Sequence, residues 1–260
     1  MARKIVIGNL KGGIGKTTLS INLADAFIHG GQRVLLVDAD PQGNSSQVYR
    51  AEIDGHPTMY DLYKGDATIK EAIQHTSFGD IVPNENKTNA LSGELEKSIS
   101  GYNKIRKMLK EVEDEYDIII IDTPPLGGIF MLQGFTAADY LIIPTEASTF
   151  SISGLSDLPS TYEEIVENTN PDLKILGVVL NNYDGRKTNA REAKNNLPAA
   201  VEAMGIKCYS TIIQTDANVE KAEDNSESLF EHYKGTRAAN DFITFAAETI
   251  SLINEIEGGK

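Results

Sequence analysis

Residues 4–22, KIVIGNLKGGIGKTTLSIN, place a glycine-rich loop between a short apolar run and an amphipathic segment. The run Ile5–Ile7 predicts a strand, and the apolar spacing after Lys16 predicts a helix. Glycines between these elements let the backbone approach an anion closely and turn its N–H groups toward it. The helix start adds unpaired N–H donors and the positive end of the helix dipole. The stretch therefore predicts a phosphate-binding loop.

Two side chains of this loop have direct uses in phosphate chemistry. Lys16 would place a charge between terminal phosphates, and Thr17 would offer a hydroxyl to Mg²⁺. The pattern G-x-x-x-x-G-K-[ST] would have its first glycine at position 10, where this chain has Leu10, and a second lysine, Lys11, precedes the glycines. A glycine–lysine turn arising by chance is the alternative, and the strand and helix around the loop disfavour it. The residues expected at the phosphates are Lys11, Gly12, Gly13, Gly15, Lys16, Thr17 and Thr18.

Two later apolar runs end in aspartates. Residues 33–38 predict a strand buried on both faces of a parallel sheet, and it ends in DADPQGN, which holds Asp38 and Asp40. Four isoleucines precede Asp122 in the Walker B arrangement, in which the carboxylate holds Mg²⁺ through its water shell. Open α/β sheets bind ligands at the carboxyl ends of their strands, so we expect all three carboxylates near the loop. The alternatives are a turn stabilised by Asp and Asn side chains and a purely structural aspartate at a strand end.

The rest of the chain alternates between strand and helix patterns. This alternation predicts an α/β fold with a doubly wound, mainly parallel sheet flanked by helices, in one domain over residues 1–260. Further strands are expected at 79–83, 138–144, 173–180 and 207–213, and further helices at 59–64, 68–75, 94–115, 155–168 and 236–256.

Composition excludes several kinds of site. The 260-residue chain has a formal net charge of −14, which argues against a protein that coats nucleic acid with its whole surface. The one cysteine, Cys208, cannot form an internal disulfide or hold an iron–sulfur cluster alone, and the four histidines lack metal-ligand spacing. No apolar run reaches about 18 residues, and no signal-peptide pattern opens the chain, so we expect a cytoplasmic protein.

Together these motifs resemble the ParA/Soj branch of the deviant Walker A ATPases, which are relatives of MinD. The resemblance covers nearly the whole chain, and a late Arg237 also fits it. The matching motifs are KGGIGKTT (11–18), DADPQGN (38–44), IIIIDTPP (118–125), LIIPTEASTFSISGLSDL (141–158) and GVVLNNYDGR (177–186).

The resemblance implies ATP and Mg²⁺ as cofactors and a sandwich homodimer that forms on ATP binding. Lys11 resembles the signature lysine that reaches the partner's ATP, and Gly12 lies where the two loops meet. Asp40 resembles the carboxylate required for hydrolysis. The remaining implied roles are the P-loop lysine for Lys16, the metal ligand for Thr17, proximity to the attacking water and the metal for Asp38, the Walker B acid for Asp122, and adenine contact for Asn181 or Asn182.

The function implied is DNA partition, with non-specific DNA binding and slow ATP hydrolysis stimulated by a ParB-like centromere-binding protein. At the expected DNA surface the chain departs from the family, because Gln214 and Thr215 stand where a proline and an arginine are usual. Residues 216–231 hold six acids and one lysine. The candidate DNA contacts are Arg186, Lys187 and Arg191 at a basic helix start, with Arg237; an ordinary solvated helix face is the alternative.

Other functions of the superfamily fit less well. A MinD-like membrane role needs a basic amphipathic tail, whereas the charges from Glu248 to Glu257 are acidic, so no membrane partner is expected. An iron–sulfur relative needs more cysteines, and a tyrosine autokinase needs a tyrosine cluster after Tyr233. A cargo-positioning ATPase stays open, since its hydrolytic residues would be the same. The chain begins at the loop strand, so we expect no operator-specific repression; the implied location is the nucleoid.

Overall fold

The computed structural model describes residues 1–125, 127–147 and 158–259. Its strands, numbered in chain order, are β1 Arg3–Ile7, β2 Val34–Asp38, β3 Gln74–Thr76, β4 Gly79–Val82, β5 Ile118–Asp122, β6 Tyr140–Glu146, β7 Lys174–Tyr183 and β8 Cys208–Gln214. The helices are Lys16–His29 (α1), Asn44–Val48, Met59–Lys64, Ile69–Ala72, Ser92–Leu95, Ile99–Tyr102, Lys104–Leu109, Ile129–Ala137, Leu158–Asn168, Thr188–Glu202, Ala217–Asn225, Leu229–His232 and Arg237–Gly258, with a 3-10 turn at Asn86–Leu91.

The strands form one sheet in the order β3-β4-β2-β5-β1-β6-β7-β8. Every described pairing is parallel except that of β3 with β4. The predicted fold class is therefore confirmed. Strands β2 and β5 are buried at every position, because helices pack on both faces of the sheet and form a separate apolar core on each.

The register brings the predicted acids together. Ile7 at the end of β1 pairs with Asp122, and Asp38 at the end of β2 pairs with the same residue. Because the phosphate loop follows β1 directly, the loop and two of the aspartates lie at one edge of the sheet. The order of strands thus builds the site at the carboxyl ends of three neighbouring strands.

Two predicted helices are wrong in extent. Residues 94–115 form short helices instead of one, because Ser98 caps a new helix and the Gly101 backbone passes so close to the Leu95 carbonyl that a Cβ would clash. The segment 68–75 is helical only over Ile69–Ala72 and then becomes the antiparallel edge strand β3. The second half of the motif 141–158 lies outside the described residues, as does the predicted helix start before Leu158. Within the described chain no helix is long and apolar enough to cross a bilayer.

Candidate nucleotide-binding site

The loop between β1 and α1 has the backbone geometry of an anion cradle. Gly13 and Gly15 adopt left-handed conformations with φ of 71° and 78°. Gly15 is the N-cap of α1, and no side chain caps that helix start. The first N–H groups of α1 therefore face the loop as donors to an anion. A Cβ on Gly15 would lie 2.4 Å from the Asn181 amide nitrogen, so this position requires glycine for space as well as for conformation.

Lys16 lies inside the loop. Its Nζ donates to the Lys11 carbonyl oxygen at 3.0 Å, and the side chain is largely buried. Burial lowers the pKa of Lys16, while the nearby Asp122 and Asp40 carboxylates oppose that change. The ammonium group is thus held at the centre of the loop, close to the acids at the strand ends, where a bound phosphate chain would pass.

Asp122 is fully buried and accepts hydrogen bonds from three hydroxyl groups. Ser45 donates from the DADPQGN side at 2.7 Å and Ser20 from α1 at 3.1 Å, and Thr17 also bonds to this carboxylate. Burial raises the pKa of Asp122, and the hydrogen bonds from Ser45 and Thr17 oppose that rise. Thr17 and Asp122, predicted from separate motifs to serve one metal ion, therefore lie in direct contact.

The residues present suit Mg²⁺ better than a metal held entirely by the protein. Among the described residues no three His, Cys, Asp or Glu side chains form a metal-binding group. Mg²⁺ is commonly bound through one or two carboxylate or hydroxyl ligands, waters and substrate phosphates. The Thr17 hydroxyl and the Asp122 carboxylate supply that donor set.

Asp38 and Asp40 lie side by side but in different surroundings. Asp38 is fully buried and accepts from the Ser46 backbone N–H at 2.9 Å, the Ser46 hydroxyl at 2.6 Å and the Asp40 N–H at 3.1 Å. Its oxygens thus hold the loop that carries Asp40, and burial raises the pKa of Asp38. Asp40 accepts from the Gln42 N–H at 2.9 Å and lines a cavity of about 460 Å³ together with Pro124, Pro125, Gly127 and Gly128. Burial raises the pKa of Asp40 as well.

The loop after Asp122 approaches the glycines. Gly12 lies so close to Pro125 that a Cβ on Gly12 would be 3.3 Å from the proline Cβ. Lys11 is half-buried beside it, and its N–H donates to Asn9 Oδ1 at 3.1 Å. Lys11, Gly12 and Pro125 therefore lie close together at one edge of the candidate site.

A second cavity, of about 400 Å³, opens beside Gly15 on the other side of α1. The Asn181 amide donates to the Ile14 carbonyl at 2.9 Å, which ties β7 to the phosphate loop. Asn182, with φ of 53°, donates to Glu146 at 3.2 Å and accepts from Thr215 at 2.9 Å. Asn181 and Asn182, one or the other of which was expected to contact adenine, therefore both line a cavity next to the phosphate loop.

Of the candidate DNA contacts, Arg186 is paired with an acid beside it, and Arg191 and Arg237 contact neutral side chains. Arg186 forms a bidentate pair with Asp184, with nitrogen–oxygen distances of 2.8 and 2.9 Å, although its side chain stays exposed. Lys187 immediately precedes the helix Thr188–Glu202, and Arg191 reaches the Thr188 hydroxyl at 3.4 Å. Arg237 starts the last helix and donates to Gln214 at 3.3 Å. The structure thus places a small exposed basic group after β7, and Arg237 next to the end of β8.

Comparison with known proteins shows the family of this chain. Residues 2–175 match the family model described as AAA domain. The sporulation initiation inhibitor protein Soj of Bacillus subtilis is 32% identical over 251 residues, which are 95% of this chain and 98% of the relative. The chromosome partitioning protein ParA of Caulobacter vibrioides is 31% identical over 254 residues, 96% of this chain and 94% of the relative. The chain belongs to the ParA/Soj family of partition ATPases.

Solved structures support the fold of this ParA/Soj protein. Cobyrinic acid a,c-diamide synthase of Mycobacterium smegmatis, solved with ADP and magnesium, superposes with a TM-score of 0.83 at 26% identity, covering 100% of this chain and 97% of the other. The cell division ATPase MinD of Pyrococcus furiosus superposes with a TM-score of 0.78 at 24% identity, covering 97% of this chain and 100% of the other, and shows the fold alone. The predicted family and fold are confirmed, and the chain is a nucleotide-hydrolysing P-loop ATPase of the partition type.

Several site residues of this ParA/Soj protein escaped prediction. Ser20 lies four residues after Lys16, so helical spacing could have placed it near the loop. Ser45 and Ser46 immediately follow the DADPQGN motif, but nothing in their spacing indicates which carboxylate each one bonds. Glu223 comes from the acidic segment and contacts Thr18 at 3.3 Å, a contact between residues 205 positions apart. Only the folded chain reveals it.

Proposed function

We propose that this chain is an ATP-dependent DNA-partition ATPase that works as a single domain over residues 1–260. It binds ATP and Mg²⁺, forms a nucleotide sandwich homodimer, binds DNA non-specifically and hydrolyses ATP slowly when a ParB-like protein stimulates it. The observation that carries the proposal is the convergence of Lys16, Thr17 and Asp122 at the uncapped start of α1. The proposed location is the cytoplasm, on the nucleoid.

Each residue of the site has a proposed task. The glycine loop and the α1 N–H groups bind the phosphates, with Lys16 compensating their charge and Thr18 donating at the nucleoside side. Thr17 and Asp122 hold Mg²⁺, which supplies charge compensation at the terminal phosphates when bound. Asp40 orients the attacking water, and Asp38 holds the Asp40 loop and lies near the metal. Asn181 and Asn182 face the adenine from the 400 Å³ cavity.

Lys11 explains why hydrolysis would need a dimer. A lysine that reaches the phosphates of a second copy stabilises charge that develops in the transition state, as an arginine finger does. ATP then acts as the switch that holds two copies together. The position of Lys11 and Gly12 beside Pro125 supports this role, because these residues lie together at the rim of the site.

DNA binding is proposed for Arg186, Lys187 and Arg191, with Arg237 as a further contact. The first three lie after β7, at the carboxyl edge of the sheet that also carries the nucleotide site. Contacts at a helix start suit phosphates better than bases, so the binding would be non-specific and salt-dependent.

The test is ATPase activity with and without non-specific DNA, in the intact protein and in a triple variant with Arg186, Lys187 and Arg191 changed to Ala. We expect DNA to stimulate the ATPase activity of the intact protein but not that of the triple variant. The slope of log Kd for DNA against log salt concentration should be smaller in the triple variant by about one to three, one for each lost phosphate contact. A matched control removes three exposed, paired cations near the amino ends of strands, Arg33, Lys70 and Lys207. DNA binding that drops equally in both variants would refute this surface.

One observation favours a second candidate, a cargo-positioning ATPase that acts on something other than DNA. Residues 216–231 carry six acids near the expected DNA surface, and Asp184 neutralises Arg186. ATPase activity that is indifferent to DNA but depends on nucleotide-driven dimerisation would favour this candidate.

A further inference from the structure

One carboxylate of the acidic segment 216–231, that of Glu223, lies at the candidate nucleotide site. Glu223 lies on the helix Ala217–Asn225, which Asp216 caps through the Asn218 N–H. One Glu223 oxygen accepts from the Thr18 hydroxyl at 3.3 Å, and the other accepts from the Asn22 amide at 3.3 Å. Both donors belong to α1, so Glu223 is hydrogen-bonded to the helix that begins at the phosphate loop.

The charge of Glu223 is poorly compensated. Burial raises the pKa of Glu223 to about 7, and the carboxylates of Asp224 and Asp122 act in the same direction. Within the described parts of the chain no lysine, arginine or histidine forms a salt bridge with it. The Thr18 and Asn22 donors are therefore its stabilising partners, and both are neutral.

A bound nucleotide would occupy the region next to Glu223 and Thr18. The α1 N–H groups bind phosphates, and the 400 Å³ cavity next to them is lined by Gly15, Thr18 and Glu223 among others. With the phosphates on the α1 N–H groups and the adenine at Asn181 and Asn182, as proposed above, Thr18 lies between the two, where the phosphate chain meets the sugar. A phosphate at that point and the Glu223 carboxylate are both anions, and both would accept a hydrogen bond from the Thr18 hydroxyl.

We propose that Glu223 weakens nucleotide binding. Its carboxylate competes with the phosphate nearest the sugar for the Thr18 hydroxyl and repels the negative charge of that phosphate. This inference rests on the proposed function. The proposed competition lowers the affinity for ADP after hydrolysis, so that ADP dissociates and ATP can bind again. The helix Ala217–Asn225 is thus a part of the nucleotide site that sets how long the nucleotide stays.

The test compares the intact chain with Glu223→Gln, which keeps the shape and removes the charge. Binding of a fluorescent ADP with Mg²⁺ is titrated at pH 8 and low salt, where the carboxyl group is ionised. We expect Glu223→Gln to bind ADP about five- to tenfold tighter. The control is Asp224→Asn, which removes an exposed charge from the same helix and should change the affinity less than about twofold.

The sign of the effect separates the proposal from a structural role. A residue that merely supports α1 would weaken ADP binding when changed, so equal or weaker binding by a folded Glu223→Gln overturns the proposal. If the intact chain binds no ADP at all, the proposed function fails and this inference falls with it.

Discussion

Gly15→Ala tests the phosphate loop most directly, because two separate costs meet at this residue. Its φ of 78° is left-handed, a conformation that costs about 1–2 kcal/mol for an L side chain. The new Cβ would lie 2.4 Å from Asn181 Nδ2 and break the bond from that amide to Ile14, leaving buried polar groups unpaired at about 1–3 kcal/mol. We therefore expect Gly15→Ala to lower the free energy of unfolding by about 2–5 kcal/mol.

Gly13→Ala is the matched control. Gly13 has a φ of 71°, but no atom lies within 4 Å of its added Cβ, so only the backbone cost of about 1–2 kcal/mol applies. Urea unfolding measures both variants, and thermal unfolding should show a larger drop in melting temperature for Gly15→Ala, by roughly 2–4 °C per kcal/mol. ADP and Mg²⁺ should raise the melting temperature of the intact chain and leave that of Gly15→Ala unchanged.

A double variant identifies the clashing partner. Adding Asn181→Ala to Gly15→Ala removes the amide that the new methyl group meets, so the two changes together should cost at least about 1 kcal/mol less than their sum. Equal destabilisation by Gly13→Ala and Gly15→Ala, or strictly additive effects with Asn181→Ala, would refute the packing argument.

The remaining predictions concern charge. Lys16→Ala should abolish nucleotide binding, which calorimetry measures, and micromolar binding by this variant would contradict the loop assignment. Lys11→Ala should keep nucleotide binding and lose dimer-dependent hydrolysis, which ATPase assays measure. Asp40→Asn should bind nucleotide but hydrolyse it about 10²–10⁴-fold more slowly, a loss that single-turnover assays measure. Burial raises the pKa of Asp25 from its ordinary 3.8 to about 6. Its contribution to stability is therefore fully present below about pH 4 and is lost as the pH rises through about 6. Asp25→Asn should lack that loss in urea unfolding between pH 4 and 7, and parallel pH profiles would contradict it.

Much of the site follows from local pattern. A strand, a glycine loop and a helix in immediate succession have few ways to arrange themselves, so the roles of Lys16 and Thr17 can be predicted from the chain alone. The four isoleucines of β5 indicate a strand buried on both faces, and its end places Asp122 at the carboxyl edge. In each of these cases neighbours along the chain determine the outcome.

The rest was decided by how the chain turns and packs in space, both between near neighbours and between residues far apart in sequence. The helical pattern over 94–115 predicts one helix, but the segment folds into short helices, and where they meet the Gly101 backbone packs against the Leu95 carbonyl. Arg186 is exposed as expected, yet its charge is shared with Asp184, a pairing that depends on how the chain turns after β7. Glu223 belongs to a segment that reads as a solvated acidic surface, and only the packing of its helix against α1 brings it to Thr18. The sequence alone specified the strand, glycine loop and helix that form the predicted phosphate site; the fold decided which charges surround that site, since electrostatic forces depend on distance in space and not along the chain.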